Sequence, residues 1–145
     1  MNGDQSRWLL VGIVPAVAIG IAFELFLGHR HDYTGHFLAG YGGTYGAVLM
    51  WLRSLTPEQY FRRGSLYVVV GCVACILLGA VLEMTAFRIA KFDEVDFCNQ
   101  SLGAVAAAVA ALTLVQPLKP ADRTFDFGLI SGIALLGIGA CYAVA

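Results

Sequence analysis

Charge is what this chain has least of. Asp, Glu, Lys and Arg make up 13% of its 145 residues, against 59% hydrophobic residues. That leaves too little polar surface to clothe a soluble domain of this size. The formal net charge of −1 argues against nucleic acid as a partner. Cysteine is sparse too. Cys72, Cys75, Cys98 and Cys141 all fall within or at the edge of apolar runs, and the Cys72-x-x-Cys75 pair lacks the exposed, electropositive setting that makes thiolates reactive. These read as small packing residues.

Only three histidines occur, His29, His31 and His36, all within eight residues. Their spacing does not place ligands on one helical face as H-E-x-x-H does, and no cysteine stands near them in the chain. They are weak metal candidates, and no metal or other cofactor is expected. Ser101 and Thr34 stand in no nucleophile motif, which argues against nucleophilic catalysis. No lipidation signal is present at either end. The first apolar run, although it follows Arg7, is about 21 residues long, has no clear small-residue cleavage site and carries Glu24. It is expected to be an uncleaved helix rather than a signal peptide.

What the chain does have is apolar length. Its mean hydropathy is +0.74. Crossing about 30 Å of hydrocarbon at about 1.5 Å per residue, it divides into five spans: Trp8 to Gly28, His36 to Leu52, Leu66 to Phe87, Phe97 to Gln116 and Phe127 to Ala145. The expected fold is all-α, one domain over 1–145, a compact bundle of about five transmembrane helices. The second span is the shortest and richest in glycine. Arg7, Arg53, Arg62, Arg63, Lys119 and Arg123 fall on one side of this topology, and Arg30, Arg88 and Lys91 on the other. The positive-inside bias therefore predicts a cytoplasmic N-terminus in an integral membrane protein.

Small residues recur every fourth position. Gly12, Ala16 and Gly20 precede Glu24; Gly71, Cys75 and Gly79 precede Glu83; Gly103, Ala107 and Ala111 follow Gln100. Such faces let helix backbones approach closely. Pro15 lies near the start of its span, where it is tolerated. Thr56, Pro57 and Gln59 make a helix-start signal, and a short interfacial helix is expected there, leading into span three. The stretch from Gly71 to Ala107, two apolar helices around a charged loop, looks like the element that organises the chain.

The intramembrane carboxylates are the first functional candidates, because ionisable groups at that depth are costly. Glu24 and Glu83 each follow a glycine by twelve residues on helices running the same way, so they are expected at similar depth near the outer boundary, where a carboxylate can also snorkel to water. Asp96 can be read as an N-cap and a favourable charge at the start of its helix. The sharper reading closes a polar pocket from Asp96, Gln100, Glu83 and His36, able to bind a cationic or hydroxyl-bearing headgroup.

Asp32 and His36, Glu83, and Asp96, Gln100 and Gly103 together resemble the VanZ-like family of small bacterial membrane proteins, over roughly positions 30 to 107. That family's pattern is Asp-Lys-x-x-His, then Glu-x-x-Gln, then a basic loop running into Asp-x-x-x-Asn-x-x-Gly. Here Tyr33, Ala86 and Gln100 stand where the pattern has Lys, Gln and Asn. The resemblance implies a polytopic membrane protein, with a link to glycopeptide resistance through the family's founding member. Its residues Asp32, His36, Glu83, Asp96 and Gln100, joined by Glu24 as the parallel carboxylate of span one, are the candidate binding set, with a lipid-linked or envelope molecule as the expected ligand. Two other readings stand beside it: an accessory subunit of a larger, bioenergetic membrane complex, and an intramembrane lipid-modifying enzyme.

Overall fold

A computed structural model of the chain describes residues 3–28, 30–85, 92–115 and 126–143. These residues form five α-helices: α1 (Gly3–Phe26), α2 (His31–Ser54), α3 (Pro57–Thr85), α4 (Glu94–Val115) and α5 (Asp126–Ala143). The all-α bundle expected from the sequence is what folds. Four helices, Ser6–Phe26 within α1 and then α3, α4 and α5, are long and apolar enough to cross a membrane. Each helix starts before its expected span, and α2 also ends two residues beyond it, because a helix need not be confined to its hydrocarbon-matched segment.

The exception is α2, and it is the centre of the bundle, in contact with each of the other four helices. Its Tyr, Thr, His and Gly residues keep its hydropathy low. Lipid does not have to solvate them, since Phe37, Tyr41, Tyr45, Leu49 and Leu52 are fully enclosed by neighbouring helices. The organising element is therefore α2 rather than the 71–107 hairpin.

Glycine lets α2 sit there. A Cβ on Gly40 would lie 2.9 Å from the Cα of Gln100 on α4, and one on Gly103 would lie 2.8 Å from the backbone N of Tyr41. These distances are below any real Cβ contact, so α2 and α4 pack backbone to backbone. Against α5, Gly42 approaches Gly132 and Leu136, while Gly35 meets Ala143. The start of α2 thus lies beside the end of α5, and the two run antiparallel. In a bilayer, close packing of this kind offsets the poor helix propensity of glycine.

Pro15 was expected near a helix start, but α1 begins at Gly3 and places it in the helix interior. A proline there deprives the carbonyl four residues back, that of Val11, of its N–H donor. The Tyr41 hydroxyl donates to that oxygen at 2.9 Å. One turn along, the Tyr45 hydroxyl donates to the Trp8 carbonyl at 2.7 Å. Gly12 leaves room for the Tyr45 ring, which a Cβ would meet at 2.6 Å. Two tyrosines of the central helix thereby bind α1 and supply the donor its proline lacks.

The Thr56 start signal folds as a capping box: Thr56 N–H donates to Gln59 Oε1 at 3.0 Å, and Gln59 N–H donates to Thr56 Oγ1 at 3.3 Å. No separate interfacial helix follows, because α3 runs unbroken for 29 residues from Pro57. Tyr60 in its first turn is buried, whereas Phe61 is exposed. On the same side of the bundle, Arg53 at the end of α2 pairs with Asp126 at the start of α5 at 2.9 Å.

Candidate functional site

One face of α2 is left uncovered. Ala39, Gly43 and Ala47, at four-residue spacing, form the floor of a groove of about 620 Å³. Leu78 and Leu82 of α3 flank it on one side and Leu136 and Ala140 of α5 on the other. Leu78, Leu82 and Leu136 are 57%, 39% and 43% exposed, so the groove opens sideways, to the surface that lipid covers. Its length along α2, from His36 to Ala47, is about 16 Å at the helical rise.

The two ends differ chemically. One is lined by Ala47, Thr44, Cys75 and Ile76. The other gathers His36 from the start of α2, Glu83 from the end of α3, and Asp93, Asp96 and Gln100 from the start of α4. Local structure explains how each arrives. Asp93 Oδ1 accepts the backbone N–H of Val95 at 2.9 Å and that of Asp96 at 3.2 Å, so Asp93 caps α4. Asp96, which the sequence allowed as the cap, is released from that role and lies 3.3 Å from His36 Nε2 through its Oδ2.

Gln100, one turn further along, is seated between two glycines. Its backbone rests on Gly40 of α2, and its side-chain amide fills the space where Gly79 of α3 has no Cβ; a Cβ there would lie 2.8 Å from the amide carbon. Glu83 is one turn beyond Gly79 on the same face of α3 and is only 8% exposed. Among the described residues none makes an ion pair or a hydrogen bond with its carboxylate.

Four of the six candidate residues, His36, Glu83, Asp96 and Gln100, therefore line one cavity. The other two do not. Glu24 Oε2 lies 3.0 Å from His31 Nδ1, between α1 and α2, and His31 also meets the Tyr142 ring edge-on at 5.9 Å. Asp32 pairs with Arg30 at 2.8 Å in the first turn of α2, before the hydrocarbon-matched stretch. The hydrogen bond from the Arg30 guanidinium holds the Asp32 carboxyl below the usual carboxylate range. Four-residue spacing predicted similar depths for Glu24 and Glu83, but it carried no information on which neighbour each helix face would meet.

His31 and His36 have separate acidic partners, and His29 lies outside the described residues. Among the described residues no three His, Cys, Asp or Glu side chains converge to hold a metal ion. Cys72 donates its thiol to the Ala104 carbonyl at 3.5 Å, which ties α3 to α4 as a packing residue, while Cys75 faces the groove.

Sequence reasoning missed the floor. Ala39, Gly43 and Ala47 were legible as an i, i+4, i+8 strip, but the neighbouring Gly40, Gly42 and Gly46 masked it. Comparison with family models, with curated proteins and with solved structures returns no match.

Proposed function

We propose that this is a VanZ-like integral membrane protein, at home in a bacterial cytoplasmic membrane, that takes an amphipathic envelope or lipid-linked molecule from the bilayer into the groove between α3 and α5. The observation that carries this reading is the polarity of the groove. A sideways-open apolar trough ends in His36, Glu83, Asp96 and Gln100, a shape that suits a tail along α2 and a cationic or hydroxyl-bearing head at the top. A volume of about 620 Å³ lies within the range of small-molecule sites. The motif residues of the VanZ-like resemblance support it, since three of its elements, His36, Glu83 and the Asp96–Gln100 turn, come from three helices to one place. The bias of basic residues supports an outer-side position for that polar end.

Catalysis is not required. His36 beside Asp96 has the form of a general-base pair, but the hydroxyl and thiol in the groove, Thr44 and Cys75, line its other end. Thr44 is eight residues, about 12 Å, along α2 from His36. That separation disfavours the lipid-modifying enzyme reading. The subunit reading draws on the small-residue floor, which would also admit a partner helix.

Native mass spectrometry of the protein extracted in mild detergent tests the proposal. Wild type is expected to retain an amphiphile-sized adduct, and Gly43→Leu, which raises a side chain from the floor, is expected to lose it without loss of thermal stability. An unchanged adduct in Gly43→Leu would overturn the groove as the binding site. A stoichiometric protein partner displaced by the same substitution would favour the subunit reading instead.

A further inference from the structure

Resting on the groove reading above, we infer that the head of the bound amphiphile is a cationic amine, held by Glu83 as its counter-ion. The charges at the polar end lead to this. Asp96 has His36 at 3.3 Å. Asp93 commits one oxygen to the backbone N–H groups that open α4. Glu83 has neither kind of partner among the described residues, although it is 8% exposed and lines the cavity. A carboxylate buried to this degree is costly in its ionised form unless a cation or hydrogen-bond donors compensate it. An ammonium entering from the groove supplies both the charge and up to three N–H donors.

The same charges exclude other heads. Among the described residues, a phosphate or carboxylate head would face Glu83, Asp93 and Asp96 with one imidazole to offset them, and like charges at such range repel. A neutral hydroxyl head could donate one hydrogen bond to Glu83 but would bring no charge to offset it. Size narrows the ligand further. The trough runs about 16 Å along α2, between leucines of α3 and α5, which suits one hydrocarbon tail with a small head. The class is a single-chain amine.

The test compares three probes of equal chain length, hexadecylamine, hexadecanol and palmitate, against the purified full chain in nanodiscs at neutral pH, by native mass spectrometry with competition. For wild type the amine is expected to outcompete the alcohol by at least about tenfold, and the acid to bind weakest. In Glu83→Gln the preference of amine over alcohol is expected to disappear while the alcohol still binds, which shows the groove intact. Glu24→Gln is the companion variant and is expected to keep the preference, because Glu24 lies outside the groove, against His31.

Equal binding of amine and alcohol to wild type, or a preference that survives in Glu83→Gln, overturns the amine inference and leaves the groove standing. Binding of none of the three probes to wild type overturns the groove reading itself.

Discussion

Removing the Tyr41 hydroxyl while keeping its ring tests how the central helix holds α1. The ring lies between Phe37 and Tyr45, with centroids 6.2 and 6.0 Å away, and the residue is fully buried. Tyr41→Phe therefore preserves the packing and deletes one hydrogen bond, that to the Val11 carbonyl at 2.9 Å. Pro15 has already removed that carbonyl's helical donor, so the oxygen is left with neither partner. Leaving a buried acceptor unsatisfied costs about 1–3 kcal/mol. Interhelical hydrogen bonds in membranes average about 0.6 and reach about 1.7 kcal/mol by double-mutant cycles. The bond here should fall at the upper end, because its loss orphans the acceptor. A Pro15→Ala background restores the backbone N–H at that position, and Tyr41→Phe should then cost much less. The cycle predicts a coupling energy of about 0.6–1.7 kcal/mol, measured by sodium dodecyl sulfate unfolding in mixed micelles followed by circular dichroism. Equal costs of Tyr41→Phe in both backgrounds would refute the compensation of Pro15 by Tyr41.

Neighbouring glycines on α2 should behave oppositely. Gly40→Ala drives a Cβ into the backbone of Gln100 and is expected to cost about 1–3 kcal/mol, whereas a Cβ on Gly43 lies 3.6 Å from Leu136 Cδ1, an ordinary contact, so Gly43→Ala should leave the thermal midpoint in detergent nearly unchanged. Similar midpoints for the two variants would contradict the backbone packing of α2 on α4. Glu24→Gln should break the link to His31 yet leave amphiphile binding intact, and a binding loss comparable to that of Glu83→Gln would place Glu24 in the site after all. The Asp32 carboxyl is lowered by its hydrogen bond from Arg30, so its contribution is present above its ordinary value of about 3.9 and is lost as pH falls through the depressed one. The stability difference between wild type and Arg30→Gln should accordingly shrink in acid, and a difference that grows there would reverse the assignment.

Periodicity made the helices readable, and with them the small-residue faces of α1, α3 and α4. It undervalued α2, because hydropathy measures what a helix needs in order to face lipid, and α2 faces other helices. The candidate site was legible where charge stands out against an apolar background, as with Glu83 and Asp96. Its partition was not. Glu24 and Glu83 share a spacing and a direction, and the difference between them comes from packing: α1 meets His31, while α3 meets the groove. The role of Asp93 was hidden for a related reason. Three acidic residues within four positions are equal candidates for a cap until the backbone of α4 selects the one whose oxygen reaches two N–H groups. Gly79 carried a signal of close packing, but only the fold reveals that the Gln100 amide fills the space it leaves.

The central claim is that an amphiphile lies along α2 with its head at His36 and Glu83. Photocrosslinking tests it most directly, with hexadecylamine probes carrying a diazirine either at the tail end or next to the head, followed by peptide mapping of the labelled chain in nanodiscs. The tail probe should label Gly43–Ala47 of α2 and Cys75–Leu78 of α3, and the head probe Leu82–Glu83 and the start of α4. Labels confined to the lipid-facing residues of α1 and α3, such as Leu10, Val14, Val69 and Val73, with no difference between the two probes, would contradict the account.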